Sequence, residues 1–69
     1  MNDGEFLKRV GGKVRAMRMS QGITIRMLGK LCETDYSNLS RFENGQVSIG
    51  ILTLKRIAKQ LNVDIKELL

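Results

Sequence analysis

The segment from Gly22 to Gly45, GITIRMLGKLCETDYSNLSRFENG, restricts the fold more than any other part of this chain. Its apolar residues recur at helical spacing on both sides of a short polar stretch, and residues suited to stopping helices stand at its ends. Thr24 can cap a helix with its hydroxyl oxygen, which places a first helix of the segment at about Thr24 to Cys32. Glu33 and Thr34 form a turn. Asp35 can then accept hydrogen bonds from the free amides of a following helix that carries Leu39 and Phe42 inward, and Asn44-Gly45 ends it with residues that tolerate positive φ.

The same spacing argument extends to the rest of the chain. Leu7, Val10, Val14 and Met17 share one face of a helix expected from Glu5 to Met19, with residues 1–4 frayed ahead of it. Gly11 and Gly12 each cost about 1 kcal/mol there relative to Ala, so they either let another backbone pack closely, the favoured reading, or mark a fraying point. Gly22 supplies a left-handed cap. After a polar loop containing Gln46, Ser48 and Gly50, a fourth helix turns Ile51, Leu54, Ile57, Ala58 and Leu61 inward and Lys55, Arg56 and Lys59 outward, with Asn62 at its end. Asp64-Ile65-Lys66-Glu67 has the spacing of a capping box and predicts a short fifth helix ending at Leu68 and Leu69. No strand, repeat or low-complexity segment is visible.

The chain of 69 residues is read as one all-α domain, of a size that buries only about 60 % of its unfolded surface. Twelve Lys and Arg against seven Asp and Glu give a formal charge of +5, which favours polyanions through counterion release. No apolar run approaches the roughly 20 residues that span a bilayer, no charged leader precedes an apolar core, and the expected location is the cytoplasm. Cys32 has no second cysteine to pair with and reads as a small buried apolar residue. With no His, one Cys, no Gly-rich phosphate loop and no metal-ligand spacing among the carboxylates, catalysis, metal and cofactor are not expected.

Val14-Arg15, Arg18, Gly22-Ile23-Thr24, Leu28-Gly29, Ser37-Asn38-Leu39-Ser40-Arg41-Phe42-Glu43-Asn44-Gly45 and Leu54-Lys55-Arg56-Ile57-Ala58-Lys59-Gln60-Leu61 stand in an ordered set at fixed spacings. The set resembles the helix-turn-helix family of phage repressors, Cro and the xenobiotic-response-element regulators, over about Val10 to Leu69. The resemblance implies a five-helix, lambda-repressor-like domain whose helix-turn-helix spans about residues 24–44. It implies binding of a double-stranded DNA operator as a homodimer, with the third helix in the major groove. Two residues depart from the pattern. Glu33 stands where the turn usually has a left-handed Gly, and Ile25 where many relatives carry a Gln that contacts phosphate and braces the reading helix. Gly29 keeps the pattern, because the third helix crosses close to it.

By that resemblance Tyr36, Ser37 and Arg41 occupy positions from which similar proteins touch bases, with Asn38 a lesser candidate. Arg41 can offer paired donors to guanine O6 and N7, and Tyr36 can pack on a thymine methyl or bond phosphate. Outside this motif Arg41 would read as a solvated charge on an ordinary helix. Thr24 and Arg26 border the start of the second helix and Asn44, Gln46 and Ser48 follow the third, all expected at phosphates; Lys13 could reach a flanking phosphate or simply keep its helix soluble. Arg18 and Glu43 match residues that form a partly buried structural ion pair in similar proteins.

A repressor of a palindromic operator is therefore the leading expectation, controlled without a small-molecule ligand. The alternative is a protein-interaction module, such as an antitoxin or co-regulator, that holds a partner through Met27 and Leu31, an apolar pair at i and i+4. Dimerisation is expected through Val63, Ile65, Leu68 and Leu69, with Ile65 and Leu68 mostly closing the monomer core and Leu69 the better interface residue.

Overall fold

Each α-helix of this chain ends in the same way, with one residue in the left-handed region: Gly22 (φ 70°), Glu33 (φ 54°), Gly45 (φ 74°) and Asn62 (φ 57°). Around each, two amides fold back onto the last turn. Gly22 N–H reaches Met19 O and Ile23 N–H reaches Arg18 O, at 3.0 and 3.1 Å, and the same pair of bonds recurs at Glu33-Thr34, Gly45-Gln46 and Asn62-Val63. This closure satisfies carbonyls that the helix leaves open and sends the chain off sharply, which is how short helices pack in so few residues.

The computed structural model describes residues 1–69. Its α-helices are α1 (Asp3–Ser20), α2 (Ile25–Leu31), α3 (Tyr36–Glu43) and α4 (Ile51–Gln60), followed by one 3-10 turn over Ile65–Leu68. The helices begin on side-chain caps. Thr24 Oγ1 accepts from Met27 N–H at 3.1 Å, and Asp35 Oδ1 accepts from Ser37 N–H at 3.1 Å. Gly50, which has no side chain to do this, starts α4 uncapped.

Three expectations are corrected here. Helix α1 starts at Asp3 rather than Glu5, because Asn2 Oδ1 accepts from Glu5 N–H at 2.8 Å and Asp3 and Glu5 place negative charge on the first turn. There are four α-helices, not five. The capping box at the end does form, with Glu67 Oε2 accepting from Asp64 N–H at 2.7 Å, but the four capped residues close only i to i+3 bonds, from Glu67 N–H to Asp64 O and from Leu69 N–H to Lys66 O. Ile51, expected inward, is 67 % exposed. It lies in the first turn of α4, where Val47 and Ile49 from the preceding loop pack on the core instead.

The core joins Val10 and Val14 of α1, Leu28 and Cys32 at α2, Leu39 and Phe42 of α3, Leu54, Ile57, Ala58 and Leu61 at α4, and Leu68. Leu68 is fully buried and closes this core, so it is not available to a dimer interface. Burial pushes the Cys32 thiol above its ordinary pKa, against the smaller lowering effect of the Arg56 charge, so it stays a protonated, packed side chain. Gln21 Nε2 donates to Leu61 O at 2.7 Å, tying the end of α1 to the end of α4.

Candidate nucleic-acid interface

Helix α3 is held from behind, which leaves its front face clear. Leu39, Phe42 and Glu43 are buried, and Ser37, Arg41 and Asn44, at i, i+4 and i+7, form an exposed stripe on the opposite side. The rear attachment has three parts. First, Gly11 brings α1 against the end of α3 so closely that a Cβ there would overlap the Phe42 carbonyl oxygen and stand 2.8 Å from that of Glu43. Gly12, one residue on, faces open space. Second, Gly45 lies against Lys8, where a Cβ would stand 2.9 Å from the Lys8 Cα.

The third part is a charge clamp. Arg18 Nε donates to Glu43 Oε2 at 2.8 Å and Nη2 donates to Oε1 at 2.9 Å, while Nη1 donates to Ile23 O at 2.8 Å. The fork therefore binds both the end of α3 and the loop before α2. Both side chains are largely withdrawn from water, and the hydrogen bonds that Arg18 donates to Glu43 raise the Arg18 pKa despite the opposing effect of burial. A bidentate pair results.

The front of α3 meets α2 at its first turn. Gly29 allows this crossing, since a Cβ at that position would stand 2.8 Å from Thr34 O and 3.0 Å from the Tyr36 Cβ. Glu33 takes the left-handed conformation that its position in the turn demands, at the steric cost that Gly would avoid. Ile25, at the start of α2, is half-buried against the core and offers no hydrogen bond to the reading helix. Arg26 lies instead over the Tyr36 ring, its guanidinium carbon 4.9 Å from the ring centroid.

Tyr36, Ser37 and Arg41 are exposed on α3 and Asn38 is half-buried beside them. Thr24, Arg26, Asn44, Gln46 and Ser48 are exposed at the ends of α2 and α3 and in the loop that follows, while Lys13 is half-buried on α1. The only carboxylate ion pairs are Arg18 with Glu43 and Lys66 with Asp64, so Lys13, Arg26 and Arg41 keep uncompensated charge. Such charge, with exposed donors on a projecting helix, fits the sugar-phosphate backbone and base edges of a duplex.

The family model for helix-turn-helix proteins matches residues 14–68. The chain belongs to the helix-turn-helix family. It is a family of DNA-binding transcription regulators. Among solved structures the fold is similar to the restriction-modification controller protein C.AhdI from Aeromonas hydrophila, with a TM-score of 0.90 and 25 % identity over 94 % of this chain and 98 % of that one. The DNA-binding domain of BldD is similar at a TM-score of 0.84 and 25 % identity, over 100 % of this chain and 99 % of that one. The clp gene regulator ClgR from Corynebacterium glutamicum shares the fold, with a TM-score of 0.85 at 21 % identity, over 88 % of this chain and 65 % of that one. Comparison with curated proteins by sequence gives no match.

Within this helix-turn-helix domain two surface features escaped the sequence reading. The contact between Arg26 and Tyr36 links residues on different helices and has no local signature. Ile51 and Leu52, 67 % and 65 % exposed, put a large apolar pair on the first turn of α4. Helical spacing alone places Ile51 inward, and it does not show that the first turn of α4 extends past the core.

Proposed function

We propose that the chain is a sequence-specific transcriptional repressor that binds a palindromic operator as a homodimer, with α3 in the major groove. The observation that carries this reading is the contrast across α3, whose rear is fixed by Gly11, Phe42 and the Arg18–Glu43 clamp while Tyr36, Ser37 and Arg41 are exposed. Arg41 and Tyr36 read bases, with Ser37 and Asn38 contributing beside them. Thr24, Arg26, Asn44, Gln46, Ser48 and Lys13 position the domain on phosphates. One reading helix covers few base pairs, and a two-fold pair spans half-sites about 34 Å apart. Its interface draws on the exposed Leu69 and the half-buried Val63 and Ile65, joined by Ile51 and Leu52.

Selection from a pool of random duplexes at two salt concentrations tests this, with wild type and Arg41→Ala in parallel. The expected result is a palindrome with half-sites one helical turn apart, and loss of a guanine preference worth about 1–3 kcal/mol in the variant. Salt-sensitive binding without sequence preference would instead attribute everything to net charge.

A second reading has its own observation: Met27 and Leu31 are 49 % and 48 % exposed, an apolar pair one helical turn apart on α2. On that reading the domain docks a partner protein and touches DNA secondarily. Met27→Lys separates the two, since operator binding survives it and a partner contact does not.

A further inference from the structure

Arg26, second residue of α2, and Tyr36, first residue of α3, meet across the turn between the two helices. Both are exposed. The backbone under the phenol is already fixed by the close crossing at Gly29, so what remains free in Tyr36 is rotation of the ring itself. A guanidinium carbon 4.9 Å over the ring centroid restrains that rotation through cation–π attraction. No carboxylate ion-pairs with the guanidinium's five N–H donors.

We propose that Arg26 and Tyr36 form one reading element, in which Arg26 is a positioning residue: its face holds the phenol at the leading edge of α3 and its edge takes the phosphate flanking the base pair that Tyr36 touches. The inference rests on α3 as the reading helix. It gives one side chain two functions that a lysine combines poorly, because an ammonium is a compact, strongly hydrated point charge, whereas a guanidinium is weakly hydrated and spreads five donors around its charge. The structure thus distinguishes Arg26 from an ordinary phosphate contact, for which charge alone is enough.

The test applies the same random duplex pool to wild type, Arg26→Lys, Tyr36→Phe, Tyr36→Ala and the Arg26→Lys/Tyr36→Ala double variant, followed by salt titrations on the duplex that wild type selects. Arg26→Lys is expected to leave the salt dependence and thermal midpoint unchanged. It loses about two- to fivefold of discrimination at the base pair whose preference disappears in Tyr36→Ala, the size of an exposed cation–π contact. Tyr36→Phe keeps that discrimination because it keeps the ring. In the Tyr36→Ala background Arg26→Lys changes nothing more. The stack is also visible without DNA, as an upfield ring-current shift of the Arg26 δ protons that Tyr36→Ala abolishes. Wild-type discrimination in Arg26→Lys, or additive losses in the double variant, would overturn the proposal. If that happens while Arg41→Ala still loses its guanine preference, α3 remains the reading helix and only the coupling falls; if wild type selects no sequence, both fall.

Discussion

The last turn of α3 is wedged against α1 by Gly11, by Lys8 on Gly45 and by the Arg18–Glu43 clamp, whereas its first turn is met by the Asp35 cap, the Gly29 crossing and an exposed guanidinium. Both ends have their backbone held close, but at one the side-chain link is a partly buried ion pair, whereas at the other it is a surface cation–π contact and a cap. The difference teaches where rigidity is useful in a reading helix. The helix must enter the groove at a fixed angle, so its root is locked; the side chains at its leading edge meet a particular base sequence, so that edge can vary without threatening the fold.

The locked end should break first and hardest. Glu43→Ala leaves the Arg18 guanidinium without its carboxylate in a largely desolvated site, which typically costs about 3–5 kcal/mol, a large share of what a small domain has. In a chain this short each kcal/mol moves the thermal midpoint by about 4–8 °C, so a calorimetric or circular-dichroism melt should fall by well over 10 °C. DNA binding is lost with it. An unchanged midpoint in Glu43→Ala would remove the clamp from the list of things that hold α3.

Gly11→Ala is the next largest effect and comes with an internal control one residue away. At Gly11 the added methyl meets backbone oxygens that cannot swing aside, so α1 and the end of α3 must separate, at about 1–3 kcal/mol or more. At Gly12 nothing stands within 4 Å of the same methyl, and Gly12→Ala should raise stability by about 0.5–1 kcal/mol through helix propensity. Opposite shifts in parallel urea titrations are expected. Shifts of the same sign would mean that Gly11 marks no close contact.

These two glycines also show how far the sequence can be read. Both were expected at a close approach, and only Gly11 lies at one, because a helical pattern identifies a face to within a turn but not which of two adjacent residues meets a neighbour. The helices themselves were legible, since Thr24, Asp35 and Asp64 announce starts and Gly22, Gly45 and Asn62 announce stops by local chemistry. Which helical residues reach the core depends on how the helices pack, which spacing along one helix does not give. Ile51 has the right period for the core yet projects beyond it, whereas Leu68, expected mostly to close the monomer core, does fill it. The candidate interface divides in the same way. Ser37, Arg41 and Asn44 share a face by spacing alone, but the stack of Arg26 on Tyr36 joins residues on separate helices and depends on how sharply the intervening turn closes.

That turn yields the smallest and most discriminating prediction. Glu33 sits at φ 54°, where a side chain costs about 1–2 kcal/mol in steric strain, while Asn62 sits at φ 57° with a side chain that tolerates the region. Replacing Glu33 by Gly relieves the strain but adds flexibility to the unfolded chain, worth about 0.5–1 kcal/mol in the other direction. A net gain of about 0.5–1 kcal/mol is expected for Glu33→Gly, with a smaller change for Asn62→Gly, both read from the thermal midpoint. Because the bonds from Glu33 N–H to Lys30 O and from Thr34 N–H to Gly29 O survive the replacement, α3 should keep its position and operator affinity should not move. A stabilised domain with weakened binding would mean that the strained turn itself sets the angle of the reading helix, and that the leading end of α3 is less independent of the fold than its exposure suggests.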